Sequence, residues 1–274
     1  MKKRILLTLP ILLLAATPEA MAHRAWLLPS STVLASDQPW VTIDAAISNE
    51  IFHLDYRPMG TSSLQVAGPE GSSPELTNTF TGKFRSHLDL QLAESGTYKV
   101  YTASHGLNAR WVDENGERGG YPQRGQQGTT EGLQAAIPEN TQELTISEFS
   151  RRIETFMTSG APDDHALEPT GKGLELNPIT HPNDLFSGET ATFQLLIDGE
   201  PAVGAEIEII PGNTRYRDTQ EQITTVTDGE GMLNVTWPQA GMYWFNATYT
   251  DNQAVAPATQ RRGSYTATLE VLPE

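Results

Sequence analysis

Short runs of alternating apolar and polar residues, broken by glycine, proline and asparagine turns, recur along this chain of 274 residues. They constrain its fold more than any other feature. Leu88-x-Leu90-x-Leu92 and Tyr98-x-Val100 put every second side chain on one face, the period of a half-buried strand. Comparable runs occupy 25–28, 40–47, 63–67, 83–92 and 97–103.

In the second half, the runs at 174–178, 190–197, 205–210, 222–227, 232–237, 242–249 and 264–271 place seven short strands in roughly 100 residues. Turns such as Asp198-Gly199 and Asp228-Gly229 join them. That density is expected of an immunoglobulin-like sandwich. A faint echo links the halves. Leu88-x-Leu90-x-Leu92 precedes Gly96-x-Tyr98, and Leu233-x-Val235-x-Trp237 precedes Gly241-x-Tyr243 with the same spacing. Each is an alternating strand, a glycine turn and a tyrosine entering the next strand, which predicts a tyrosine corner in two related sandwiches.

Between the halves the pattern weakens. Residues 113–132 are polar and glycine-rich, and read as a long loop. In 147–158, Phe149, Ile153, Phe156 and Met157 have helical spacing while the flanks favour a strand, so the segment reads either way. Residues 159–173 read as a linker.

The N-terminus carries Lys2, Lys3 and Arg4, an apolar run over 5–16, and a closing Ala20-Met21-Ala22. This is the pattern of a cleavable signal peptide. The apolar run is shorter than the roughly 20 residues a permanent membrane helix needs. Cleavage after Ala22 is expected to make His23 the first residue of the mature protein. The chain has no cysteine, which excludes a lipidated N-terminal cysteine, disulfides and thiolate metal ligands. The expected location is therefore the periplasm, free of any anchor and with no membrane insertion after cleavage. The organisation expected is all-β in the main: a signal peptide over 1–22, an N-terminal β-rich sandwich with a long polar loop over 23–172, and a C-terminal immunoglobulin-like sandwich over 173–274.

Eighteen Lys and Arg face 34 Asp and Glu, a net charge of −16. Loss of Lys2, Lys3, Arg4 and Glu19 with the signal peptide leaves 15 against 33, or −18. A surface this acidic repels phosphate backbones and anionic lipid, so no nucleic-acid partner is expected.

No phosphate-cradling loop, nucleophile elbow or zinc-protease helix occurs, and no serine or acid sits in a nucleophile context. The chain is not expected to be an enzyme. Of six histidines, His23 stands out. A terminal amine with a pKa near 7.7–8 is readily deprotonated by a metal. The amine and imidazole of one residue can then chelate one ion. A third imidazole nitrogen would complete a tetragonal set suited to Cu(II) and, less well, Ni(II). The competing reading of His23 is a frayed terminus.

In an extended Phe52-His53-Leu54-Asp55, His53 and Asp55 would share a face and could offer N and O to the same ion. A surface pair at a strand end is the plainer reading. His87, on the face opposite the leucines of 88–92, and His105, expected on a hairpin rim, are further candidates for the third imidazole. His165 is expected in solvent. His181, before Pro182, is expected to fix a turn. Trp40, Trp111, Trp237, Tyr243 and Trp244 could line a sugar-binding face, though Trp237 and Tyr243 fit the core pattern.

The opening His23-Arg24-Ala25-Trp26-Leu27-Leu28-Pro29 resembles the His-x-x-Trp-Leu-x-Pro start of a family of exported bacterial proteins of unknown function. Its members are often labelled as the periplasmic component of a cobalt or nickel transport system (NikM-like). The segments 173–184, 199–204 and 240–244 are similar to that family too. The resemblance implies a β-rich N-terminal part followed by an immunoglobulin-like or carboxypeptidase-regulatory-like domain. It also implies handling of Ni(II) or Co(II), with an inner- or outer-membrane transporter as a partner. His23 and Trp26 match the opening motif; His53, Asp55, His87 and His105 inherit no role from it. The alternative expectation is a non-catalytic envelope module that binds a protein or glycan.

Overall fold

The structure, a computed structural model, describes residues 23–274 apart from 124, 125 and 127. The expected signal peptide lies outside the described residues. Among the described residues no helix is long and apolar enough to cross a membrane.

The protein is mainly β, with three sheets forming two sandwiches. A five-stranded sheet runs in the order Arg24–Pro29, Trp40–Ser48, Ser86–Gln91, Thr77–Thr81, with Arg57–Pro58 beside Trp40–Ser48. A four-stranded sheet contains Leu174–Pro178, Thr190–Ile197, Glu200–Pro201 and Met232–Thr236. The nine-stranded sheet between them has the principal order Ile223–Val226, Glu206–Pro211, Gly241–Asp251, Gln260–Val271, Gln142–Ser159, Gly96–Val112, Gln65–Ala67. It therefore takes strands from both halves of the chain and crosses 172/173 without a break.

At its centre Gln142–Ser159 pairs antiparallel with Gly96–Val112 and parallel with Gln260–Val271, with Ile153 beside Thr266. Ile153 and Met157 enter the first core, with Leu27, Ile43, Leu88, Leu90 and Tyr98. Phe156 points the other way, into the second core with Phe193, Phe245, Tyr265 and Trp237. A strand buried on both faces need not alternate. This is why 147–158 carries no clean period in the sequence, and why it is a strand.

The two outer sheets thus cover opposite faces of one central sheet. Gln142–Ser159 and Gln260–Val271 run parallel at the seam, each the last strand of its own sandwich. Parallel neighbours with opposite inward faces are related by a pseudo-twofold axis lying along the strands. The expected corners obey it. Tyr98 and Tyr243 are buried, and each hydroxyl donates to the carbonyl four residues earlier, Glu94 at 2.9 Å and Gln239 at 2.7 Å. Burial raises both phenol pKa values. Gly96 and Gly241 precede them with φ of +142° and +141°, a region closed to ordinary L-residues.

Two expectations are corrected. The segment 113–132 is not all loop: it holds the strand Arg118–Tyr121, and the helix Thr130–Ala136 begins within it. Thr129 caps that helix by accepting the Gly132 N–H at 3.1 Å. Within the expected linker, His165–Leu167 forms a 3-10 turn that buries Ala166 and Leu167.

Candidate functional site

The strand Arg24–Pro29 is anchored on both sandwiches. Within it, Trp26 is buried and its indole N–H donates to Ser48 Oγ at 2.8 Å. Phe52 meets its ring edge-on. Across the sandwich boundary, Trp244 donates its indole N–H to the Ala25 carbonyl at 3.0 Å, and Arg24 lies over the Trp244 ring. Arg24 also pairs with Glu208 at 3.4 Å. Ile51 and Ile210 complete this small cluster. The tryptophan of the opening motif is therefore an anchor.

His23 projects from that fixed strand. Its imidazole is exposed and stacks on Tyr56, with centroids 3.9 Å apart and planes at 17°. Tyr56 belongs to the loop after Trp40–Ser48, which also carries Glu50, His53 and Asp55. Arg24 registers with Ser48, so the loop begins beside His23 and returns to it at Tyr56.

The expected extended piece at 52–55 is a turn instead: Phe52 has a left-handed φ of +57°. His53 and Asp55 find different partners. His53 Nδ1 lies 3.1 Å from Glu50 Oε2, and Nε2 lies 3.4 Å from Thr214 Oγ1. Asp55 Oδ1 accepts the Asn49 N–H at 2.9 Å.

The remaining candidates sit elsewhere. His87 is on the outer face of the five-stranded sheet, stacked on Phe80 and registered with Asp44. His105 is not on a hairpin rim; it lies within the strand Gly96–Val112, opposite Ser150, in a cleft with Glu148, Asp198 and Arg261. Among the described residues no three His, Asp or Glu side chains form a group that could hold a metal ion. The side chains alone do not fit a closed site. A chelate at His23 needs the α-amine that removal of 1–22 would expose.

His181 takes the structural place expected of it. Nδ1 accepts the Asn183 N–H at 3.1 Å, so the neutral ring carries its proton on Nε2 and donates to Thr97 Oγ1 at 2.9 Å. Thr97 meets Thr158 at 3.3 Å, Thr158 donates to Asn183 Oδ1 at 2.9 Å, and Asn183 Nδ2 donates to the Phe156 carbonyl at 3.1 Å. This chain of hydrogen bonds ties the 181–183 turn to the central sheet. Burial lowers the His181 pKa, opposed chiefly by the charge of Asp164.

A second polar network, which periodicity could not reveal, lies on the face of the seam turned toward the second core. Arg152, Glu154 and Glu175 are all buried there. Arg152 Nη2 meets Glu175 Oε1 at 2.6 Å, and the Tyr265 hydroxyl donates to Glu154 Oε1 at 2.6 Å. The Glu175 carboxylate also accepts from the Thr170 hydroxyl and from the N–H groups of Thr170, Gly171 and Lys172. Burial, then Glu154, pushes the Tyr265 pKa well up.

Fold and site together define a tandem β-sandwich protein with a clamped N-terminal strand and an exposed histidine at its start. The chain belongs to the family described as a domain of unknown function, DUF4198, whose model matches residues 20–251. No curated protein matches it. Among solved structures it is similar to the D0-D1 domain of Intimin, at 11% identity over 90% of this chain and 97% of that one, with a TM-score of 0.23. A DUF3823 family protein from Bacteroides uniformis matches at 10% identity over 92% and 100% of the two chains, also with a TM-score of 0.23. A marsupial T cell receptor matches at 12% identity over 92% and 74%, with a TM-score of 0.21. At such scores none of the three bears on the fold, which rests on the strand order above.

Proposed function

We propose that the processed chain is a periplasmic protein that binds Cu(II), Ni(II) or Co(II) through its His23 terminus, as a non-catalytic accessory to metal uptake or homeostasis. The observation that carries this reading is the exposed His23 imidazole, stacked on Tyr56 at the end of a strand fixed by Trp26 and Trp244. A chelating terminus binds best when little ordering remains to be done on binding, and here one ring and the backbone behind it are already held. Asp55, next to Tyr56 in the chain, and His53 in the same loop are the side chains we assign as further donors, each exchanging its present partner for the ion. The resemblance of the opening motif to proteins labelled as nickel or cobalt transport components points the same way.

Calorimetric titration of each metal into mature protein, its N-terminus verified by intact mass, tests the reading. Saturable one-to-one binding is expected, lost in His23→Ala and when a glycine precedes His23. Full affinity in the glycine-extended protein would refute it. A second reading, a non-catalytic envelope binding module, draws on a cationic groove on the central sheet.

A further inference from the structure

The two faces of the central seam are finished differently. On one, the Arg152 guanidinium receives a carboxylate from the chain's own Glu175, delivered by the segment 165–175. The chain connects the sandwiches only once, so it supplies only one such cover. The opposite face is left as an open groove enclosing about 350 Å³, within the range of small-molecule sites.

Register fixes what points into that groove. Phe149 pairs with Arg262, which pairs with Thr250; Arg151 pairs with Ser264, which pairs with Thr248. Residues paired across strands project to the same side, so Arg151 and Arg262 stand diagonally on adjacent strands with Phe149 between them. Arg110, from Gly96–Val112, lines the far end. Both sandwiches contribute to this floor. Arg110, Arg151 and Arg262 make no ion pair or hydrogen bond among the described residues. By contrast, Arg24, Arg85, Arg152, Arg217 and Arg261 each have an acidic partner. Arg57 adds a fourth positive charge facing Arg151.

Among the described residues Arg57, Arg118 and Arg215 have no ion pair either, but Arg110, Arg151 and Arg262 share one groove, a local concentration of positive charge in a chain with net charge −16. Guanidinium groups recognise planar anions by two parallel N–H···O bonds, and several such forks select a ligand with several carboxylates. The covered face displays that pairing with an internal carboxylate.

We infer that the groove between Arg110, Arg151 and Arg262 binds a small organic anion carrying two or more carboxylates. Ser264 and Thr248 stand beside the arginines to hydrogen-bond its polar atoms, and Phe149 supplies an apolar floor for its carbon skeleton. The inference does not depend on a metal at His23.

Titration of citrate and of tricarballylate into metal-free mature protein tests it, with glycerol as the uncharged control. One-to-one binding is expected for the tricarboxylates and none for glycerol. Arg151→Ala and Arg262→Ala should each weaken binding by about tenfold or more, the scale of a lost charged hydrogen bond. Arg215→Ala, an exposed arginine far from the groove in sequence and outside its lining, should leave binding unchanged. Circular dichroism melts of each variant establish that folding is retained. Absence of saturable binding to the folded wild type would overturn the inference. So would equal losses in Arg215→Ala and Arg151→Ala, which would mean diffuse attraction rather than a site.

Discussion

The two sandwiches share a plan and differ in what each does with the face of the seam it leaves uncovered. Both end in a long strand at the seam, and both carry a buried tyrosine that closes a corner after a glycine of φ near +140°. The outer face of the first sandwich's last strand is covered by the connecting segment and neutralised by Glu175. The corresponding face of the second is covered where the strand Arg24–Pro29 crosses Trp244 and where Thr32 donates to Glu270, and beyond that it opens into the arginine groove. The two sandwiches share a frame; the single connection between them breaks its symmetry. Both candidate sites, the His23 corner and the groove, lie on the side that the break leaves open.

The largest effect should come from attacking the covered face. Arg152→Ala strands Glu175 in a buried position and is expected to cost about 3–5 kcal/mol in urea unfolding, as for other broken buried pairs. Arg151→Ala, one residue away on the open face, should stay within about 0.5 kcal/mol. Equal losses would erase the distinction between the faces.

Next are the two corner glycines. A Cβ at Gly96 would lie 2.3 Å from Asp163 Oδ2 and 2.5 Å from Pro69 Cγ, whereas one at Gly241 meets nothing within 4 Å. Gly241→Ala should cost only backbone strain, about 1–3 kcal/mol. Gly96→Ala should add about 1–3 kcal/mol of overpacking. The order of the two melting temperatures checks this. Tyr243→Phe should cost about 1–1.5 kcal/mol for one hydrogen bond, and Tyr98→Phe more, because the Tyr98 hydroxyl also accepts the Glu94 N–H at 2.9 Å; the reverse order would break this reading of the corners.

The smallest effect is a pH dependence. His181 has a lowered pKa in the folded state, so the unfolded chain binds its proton first as pH falls. Its contribution is complete above the unfolded value near 6.5 and declines below it, until the folded ring also titrates. Stability measured from pH 7.5 to 5 should therefore fall, and His181→Gln should flatten this component of the slope.

Much of the frame was legible in the sequence. The seven strands of the second half fall where alternation put them, and both tyrosine corners follow from Gly-x-Tyr spacing alone. The shared strand Gln142–Ser159 was not legible, because burial on two faces erases the period that would reveal it. His23 stood out because of its place immediately after an expected cleavage point. The groove did not, since Arg110, Arg151 and Arg262 converge only through strand pairing, between partners about 40 residues apart on one side and about 110 on the other. His53 and Asp55 misled for a local reason: the left-handed Phe52 turns an expected strand into a loop.

Scanning calorimetry of the mature protein tests the central claim, that one continuous sheet makes both sandwiches a single body and creates the groove at their seam. A single transition whose calorimetric and van't Hoff enthalpies agree is the predicted result. Two separable transitions, with only one moved by Gly241→Ala, would contradict it.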